Sequence, residues 1–199
     1  GGMGVLVFTL ALAPSLGARS IFLMRAEFPG PSSGKLVPKL SDTAKILYII
    51  YVIMTGVTIF LFLLGGMPIF DAFIHAFGTA GTGGLSLKAS GIGYYGSSFI
   101  EWTTMVLMFL FGINFSIYYG ALKLNWKTVK NEELIYYFIL VISSVFLIFI
   151  NILPVYNYSI SDSIRNSAFH VTSIITTTGF ATTDINMWPL LSKMVLLIL

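Results

Sequence analysis

DAFIHAFGTAGTGGLS, residues 71–86, and SAFHVTSIITTTGFATT, residues 167–183, are two versions of one pattern. Laid with Ala72 on Ala168 they need no gap: Phe73 meets Phe169, Thr82 meets Thr178, Gly83 meets Gly179 and Ser86 meets Thr182. Each reads as a short amphipathic helix, then a Thr-Gly step, then a hydroxyl residue, set between two long apolar runs. A short helix feeding such a strand inside an apolar chain is a way to line a cation path with backbone oxygens.

Composition places the chain in a membrane. Only 10% of residues are charged and 56% are hydrophobic, with mean hydropathy +0.90, whereas soluble domains carry about 25% charge. A spanning helix takes roughly 20 apolar residues, and the runs 46–70, 102–122 and 134–161 supply that length. Runs at 1–18 and 185–199 are shorter. No basic leader precedes GGMGVLVF, so the chain reads as an internal piece of a longer protein. There is no cysteine, which excludes disulfides, thiolate metal sites and cysteine nucleophiles. The net charge of +3 does not signal a nucleic-acid partner.

Loop charge gives a topology. Arg19, Arg25, Lys35, Lys39 and Lys45 share one connection and Lys123, Lys127 and Lys130 another, which together hold eight of the eleven basic residues. The positive-inside rule makes both connections cytoplasmic. The two patterned segments, with only Lys88 and Arg165, then lie toward the outside. Helices are expected at 44–64 going outward, 100–122 inward and 134–153 outward, with parts of inward helices at 1–24 and 188–199. The organisation that follows is the end of a first inner helix at 1–24, a linker at 25–43, a complete helix–loop–helix repeat at 44–122, a linker at 123–133, and a third repeat over 134–199. The fold class is an all-α membrane protein built of repeated helix–pore loop–helix units.

The chemistry of the loops follows from their backbone. The short helices are expected at 71–79 and 162–175, with Asp71 and Asp162 as N-caps whose carboxylates accept from free N–H groups. Their C-terminal ends, each carrying about half a negative charge, face the Thr-Gly steps and favour a cation. Aligned carbonyls require some residues at positive φ, which glycine adopts at low cost. Gly83 and Gly179 are the expected pivots, and Thr82 and Thr178 each offer a carbonyl and a hydroxyl. No carboxylate lies within either strand.

GGMGVLVFTLALAP, RAEFPGP, KLSDTAKILYIIYVIMTG, GMPIFDAFIHAFGTAGTGGLS, IEWTTMVLMFLFGINF and ITTTGFATTD occur in that order. Together they resemble the Trk/Ktr/HKT superfamily of potassium transporters, most of all the Trk-type membrane subunit. The resemblance implies four repeats around one axis, forming a pseudo-fourfold, channel-like transporter with a degenerate potassium filter. It places potassium at Thr82, Gly83, Thr178 and Gly179, with Gly81, Gly84, Thr177 and Phe180 flanking. It implies potassium as the transported ion with no other cofactor, residence in the lipid bilayer of the cell membrane as a multi-pass protein, and a homodimer. It also implies a cytosolic nucleotide-binding regulatory subunit of the TrkA/KtrA type, and no enzymatic activity. Glycine at both visible filter positions favours potassium over sodium; Leu85, where the other loop has Ala181, departs from symmetry.

A sodium- or ammonium-permeable relative is the alternative. An intramembrane hydrolase needs a serine on a Gly-x-Ser-Gly-like turn or paired intramembrane aspartates, and neither is present. His75 and His170, one position apart in the alignment, read as packing residues and not as a metal pair, because no carboxylate stands at ligand spacing. Glu101 reads as a helix N-terminal residue. Asp184, just past the second loop, is a candidate for drawing cations to the outer mouth, and Lys193 stands out as a charge in an apolar run.

Overall fold

The structure, a computed structural model, describes residues 40–122 and 132–199. All regular elements among them are helical. Helix α1 (Leu40–Leu64) is followed by α2 (Ile69–Ala80), a 3-10 turn (Gly91–Tyr95), α3 (Ser98–Phe111) and α4 (Phe115–Leu122). Then come α5 (Glu132–Ile152), α6 (Ile160–Ile175), a second 3-10 turn (Ile185–Met187) and α7 (Leu190–Ile198). The stretch 1–39 and most of the linker at 123–133 lie outside the described residues, so the first inner helix and the basic connections are not placed.

Length sorts the helices. Segments Lys45–Leu64 and Glu132–Ile152 are long and apolar enough to cross a membrane. At 1.5 Å per residue, the 12 residues of α2 cover about 18 Å, and an apolar slab of about 30 Å cannot be spanned by that. Helix α2 is therefore too short to span such a slab by itself. Polarity runs inside out. Ile49, Ile53, Phe60, Ile139, Phe146 and Ile150 are exposed on α1 and α5, whereas Ser163, Asn166, Ser167, His170, Thr172 and Ser173 on α6 are buried. In water that would leave a large apolar patch and a costly polar interior; in lipid it is the low-energy arrangement. The buried hydroxyls find partners on their own helices: Thr58, Thr79, Thr104 and Thr176 each donate to the carbonyl four residues back, at 2.7–2.9 Å.

Among the described residues two apolar cores form. One joins Leu47, Phe62, Ala72, Ala76 and Met108 and takes in Phe169 and Phe180 from the second half; the other joins Val141, Ile148, Ile152, Val171 and Trp188. Helix α3 packs on α6 as well as on α2, so the described segments on either side of 123–131 share a wall.

The inward helix expected over 100–122 is not continuous. It opens at Gly112, Ile113 and Asn114. A Cβ at Gly112 would lie 2.6 Å from the Tyr137 hydroxyl and 2.8 Å from Thr176 Cγ2, so the second half of the protein presses on the helix there. Tyrosines add bonds at the break: the Tyr118 hydroxyl donates to Leu110 O at 2.7 Å, beside the N–H of Ile113 at 3.1 Å, and that of Tyr137 to Phe109 O at 3.3 Å. Tyr118→Phe is expected to lower stability by about 1 kcal/mol, the net worth of a buried hydrogen bond. The thermal midpoint of the full-length protein checks it, and an unmoved midpoint refutes it.

Candidate functional site

Helices α2 and α6 end in the two patterned loops, and their backbones close in the same way. In the first, Gly81 N–H donates to Phe77 O (2.8 Å), Thr82 to Thr79 O (3.2 Å), and Gly83 and Gly84 both to Gly78 O (2.9 and 3.3 Å). In the second, Thr176 donates to Thr172 O (3.1 Å), Thr177 to Ile174 O (2.9 Å), and Thr178 and Gly179 both to Ser173 O (2.9 and 3.1 Å). Positive φ falls at Thr82 (49°) and Gly84 (59°), and at Thr177 (57°) and Gly179 (82°). Hydrogen bond by hydrogen bond, Thr82 matches Thr177, Gly83 matches Thr178 and Gly84 matches Gly179.

The alignment of Ala72 with Ala168 is thus one residue out of register in the loops. The Thr-Gly dipeptides coincide in sequence but not in conformation, because the left-handed position is Gly84 and not Gly83. His75 and His170, one apart in that alignment, are equivalent: each places Nδ1 on the carbonyl four residues back, Asp71 O at 2.7 Å and Asn166 O at 2.9 Å. Aligning the histidines gives the structural register.

In a trans peptide the N–H and the preceding C=O point opposite ways. The N–H groups of Gly83 and Gly84 turn back to Gly78, so the carbonyls of Thr82 and Gly83 face away from α2. Likewise Thr177 and Thr178 carbonyls face away from α6. The loops also meet: a Cβ on Gly84 would overlap the Thr178 carbonyl oxygen. Outside them opens a recess of about 530 Å³, reached by Gly84, Gly179, Lys88, Thr182 and Asp184.

Several side chains serve differently from expectation. The Thr178 hydroxyl is 2.8 Å from that of Thr176, which already donates to Thr172 O, so the Thr178 proton is committed to Thr176 and its hydroxyl is held against the helix end. Phe180 is buried, stacks on His75 at 6.0 Å, and its carbonyl accepts from Ser173 Oγ at 2.7 Å. That carbonyl is turned to α6. Gly81 is the C-cap of α2.

Neither aspartate is an N-cap. Pro68 precedes α2 and has no capping side chain; Asp71 lies in the first turn and accepts from the Tyr95 hydroxyl at 2.6 Å, with Lys88 Nζ at 3.8 Å. Ser159 caps α6, accepting from Asp162 N–H at 3.4 Å and donating to Asp162 Oδ2 at 2.7 Å. A serine cap followed by an acidic residue three positions on satisfies both groups, and the carboxylates still favour the helix N-termini from the first turn. The Ser159 hydroxyl, then Arg165, hold the Asp162 carboxyl below the usual carboxylate range.

Asp184 is exposed and accepts from Asn186 N–H at 2.9 Å at the rim of the recess. Lys193 donates to Asn186 O at 2.8 Å, so its charge is turned to the loop at the start of α7. Glu101, in the first turn of α3, pairs with Arg165 at 2.7 Å, and Arg165 also holds Asp162 at 2.7 Å. Among the described residues no group of three His, Cys, Asp or Glu side chains could hold a metal. The sequence marks Ser86 only as the hydroxyl that closes the pattern, and nothing in it points to Asn166 or Ser173 beyond their position on the short helix that feeds the second loop.

The family described as TrkH, cation transport protein, matches residues 1–199. The Trk system potassium uptake protein TrkH of Vibrio parahaemolyticus is 35% identical over 99% of this chain and 42% of its own length. That of Escherichia coli K12 is 36% identical over 99% and 42%, and TrkG of the same strain 31% over 95% and 40%. The crystal structure of the potassium transporter TrkH from Vibrio parahaemolyticus superposes with TM-score 0.78 at 30% identity, covering 100% of this chain and 40% of that one. The chain thus spans about two fifths of these relatives' length.

Proposed function

The chain belongs to the TrkH family of cation transport proteins, and from that premise we propose that it supplies two of four filter loops in a protein that takes up potassium. The observation that carries the reading is the repeated closure of the loops: the same four backbone hydrogen bonds and the same two left-handed positions after each short helix. It leaves successive carbonyls free of the helix, where they can replace an ion's hydration shell. The carbonyls of Thr82, Gly83, Thr177 and Thr178 are the proposed ligands, with Gly84 and Gly179 as the pivots.

The proposed repeats remain 44–122 and 134–199, with a multi-pass place in the cell membrane. The basic connections would meet a cytosolic nucleotide-binding regulator, and the full protein would act as a homodimer with no catalytic step. The test is flux through the full-length protein in liposomes. Potassium and rubidium are expected to pass and sodium to pass poorly. Equal sodium or ammonium flux would shift the reading to the less selective relative, and no cation flux would end it.

A further inference from the structure

The strand leaving the first loop is tied to its pore helix by one side-chain chain of hydrogen bonds. His75 is fully buried. Its Nδ1 is 2.7 Å from Asp71 O, a carbonyl that can only accept, so Nδ1 carries the proton. Nε2 of the neutral ring is then an acceptor, and Ser86 Oγ, at 2.9 Å, donates to it. The same Ser86 oxygen accepts from Lys88 N–H at 3.1 Å. Two rings pack on the imidazole: Tyr95 meets it edge-on at 5.5 Å and Phe180 stacks on it at 6.0 Å. Tyr95 is itself fixed on Asp71 Oδ2 at 2.6 Å.

The other loop solves the same problem with different residues. Ala181 stands in the place of Ser86, two residues past the left-handed glycine, and has no hydroxyl. One residue on, Thr182 Oγ1 donates to Asn166 Oδ1 at 3.3 Å, and Asn166 Nδ2 is held by Asp162 O at 2.9 Å. Asn166 is the structural counterpart of Asp71. Each exit strand is therefore anchored by a hydroxyl to the second turn or so of its own pore helix, through non-equivalent partners.

We propose that Ser86, held by His75, is a positioning residue that sets potassium-over-sodium discrimination, with Thr182 on Asn166 playing the lesser part in the second loop. The proposal rests on the filter reading above. Ser86 touches no ion; it is two residues beyond Gly84 and fixes where the strand carrying the Thr82 and Gly83 carbonyls ends. A carbonyl ring discriminates between ions by its size and by the number and field of its dipoles. Both are lost when a supporting contact lets the strand shift, since a site 1 Å too loose is present but non-selective.

The experiment is the sodium-to-potassium flux ratio of the full-length protein in liposomes, for Ser86→Ala, Ser86→Thr, Thr104→Val and Gly84→Ala. Ser86→Ala is expected to raise the ratio roughly three- to tenfold, about the effect of one hydrogen bond. Ser86→Thr keeps the hydroxyl and restores the original ratio. Thr104→Val removes a fully buried hydroxyl that bonds only within its own helix, to Ile100 O, and leaves the ratio unchanged, which separates positioning from general loosening. An unchanged ratio in Ser86→Ala, with Gly84→Ala inactive, overturns the tie and leaves the filter standing. Full activity and selectivity in Gly84→Ala overturns the filter reading itself. Should Ser86→Ala fail to reach the membrane, Thr182→Val asks the same question of the second loop, and an unchanged ratio there counts against the proposal.

Discussion

Gly84→Ala is expected to abolish potassium uptake, while Gly83→Ala keeps a measurable fraction of it. Gly84 has φ +59°, where a side chain costs about 1–2 kcal/mol from contact with the following carbonyl. The second cost is larger. A Cβ there would overlap the Thr178 carbonyl oxygen and crowd the Gly179 carbonyl carbon, both backbone atoms of the facing loop. Neither can swing aside as a side-chain tip could, so one loop must move. That displacement falls on the carbonyls proposed to hold the ion, and a loss of more than about tenfold in uptake follows from the loss of geometry. Gly83 lacks a positive φ, and a Cβ on it would meet no heavy atom within 4 Å. Uptake assays on cells lacking other potassium systems, with membrane abundance measured alongside, compare the two. Equal loss at both positions, or a larger loss at Gly83, would falsify the structural register.

That contrast marks what was legible in the sequence and what was not. The long helices were, because apolar runs of spanning length admit little else: the expected 134–153 is Glu132–Ile152, and 44–64 is Leu40–Leu64. The pairing of the loops was legible as well, but its register was not. Identity of the dipeptides Thr82-Gly83 and Thr178-Gly179 outweighed conformation, and conformation is set by which N–H reaches which helix carbonyl. The caps were misplaced for a related reason. An aspartate at a helix start satisfies either the cap or the first turn, and Ser159, three residues earlier, competes for the cap and wins. The break at Gly112 depends on Tyr137 and Thr176, distant in sequence, so no local pattern announces it. Glu101 read as a local helix-end residue because its partner, Arg165, lies far along the chain on α6.

That last pairing carries the second large effect. Arg165→Met is expected to destabilise the protein by about 3 kcal/mol, the scale for removing one partner of a buried ion pair. Arg165 joins α6 to α3: Nε lies 2.7 Å from Glu101 Oε2 on α3, Nη2 lies 2.7 Å from Asp162 Oδ1 on its own helix, and Nη1 reaches Ser98 Oγ at 3.1 Å. Glu101 is only 9% exposed, so without Arg165 its charge stays desolvated and unpaired. Asp162 is open to solvent and loses little. The asymmetry gives a check: Glu101→Gln in the Arg165→Met background recovers part of the loss, whereas Asp162→Asn does not. Arg165→Lys recovers only a fraction, because an ammonium cannot present a planar fork to two carboxylates and a hydroxyl at once. Acid acts on the same cluster with a defined sign. The Asp162 carboxyl is held low by Ser159 and Arg165, so its contribution is complete above the ordinary carboxylate range and is lost only as pH falls through the depressed folded value. Thermal midpoints of the full-length protein in detergent, taken from neutral pH into that acid range, test both claims. A midpoint in Arg165→Met equal to that of the unaltered protein at neutral pH would mean that packing of α3 on α6, without the ion pair, holds the two repeats together.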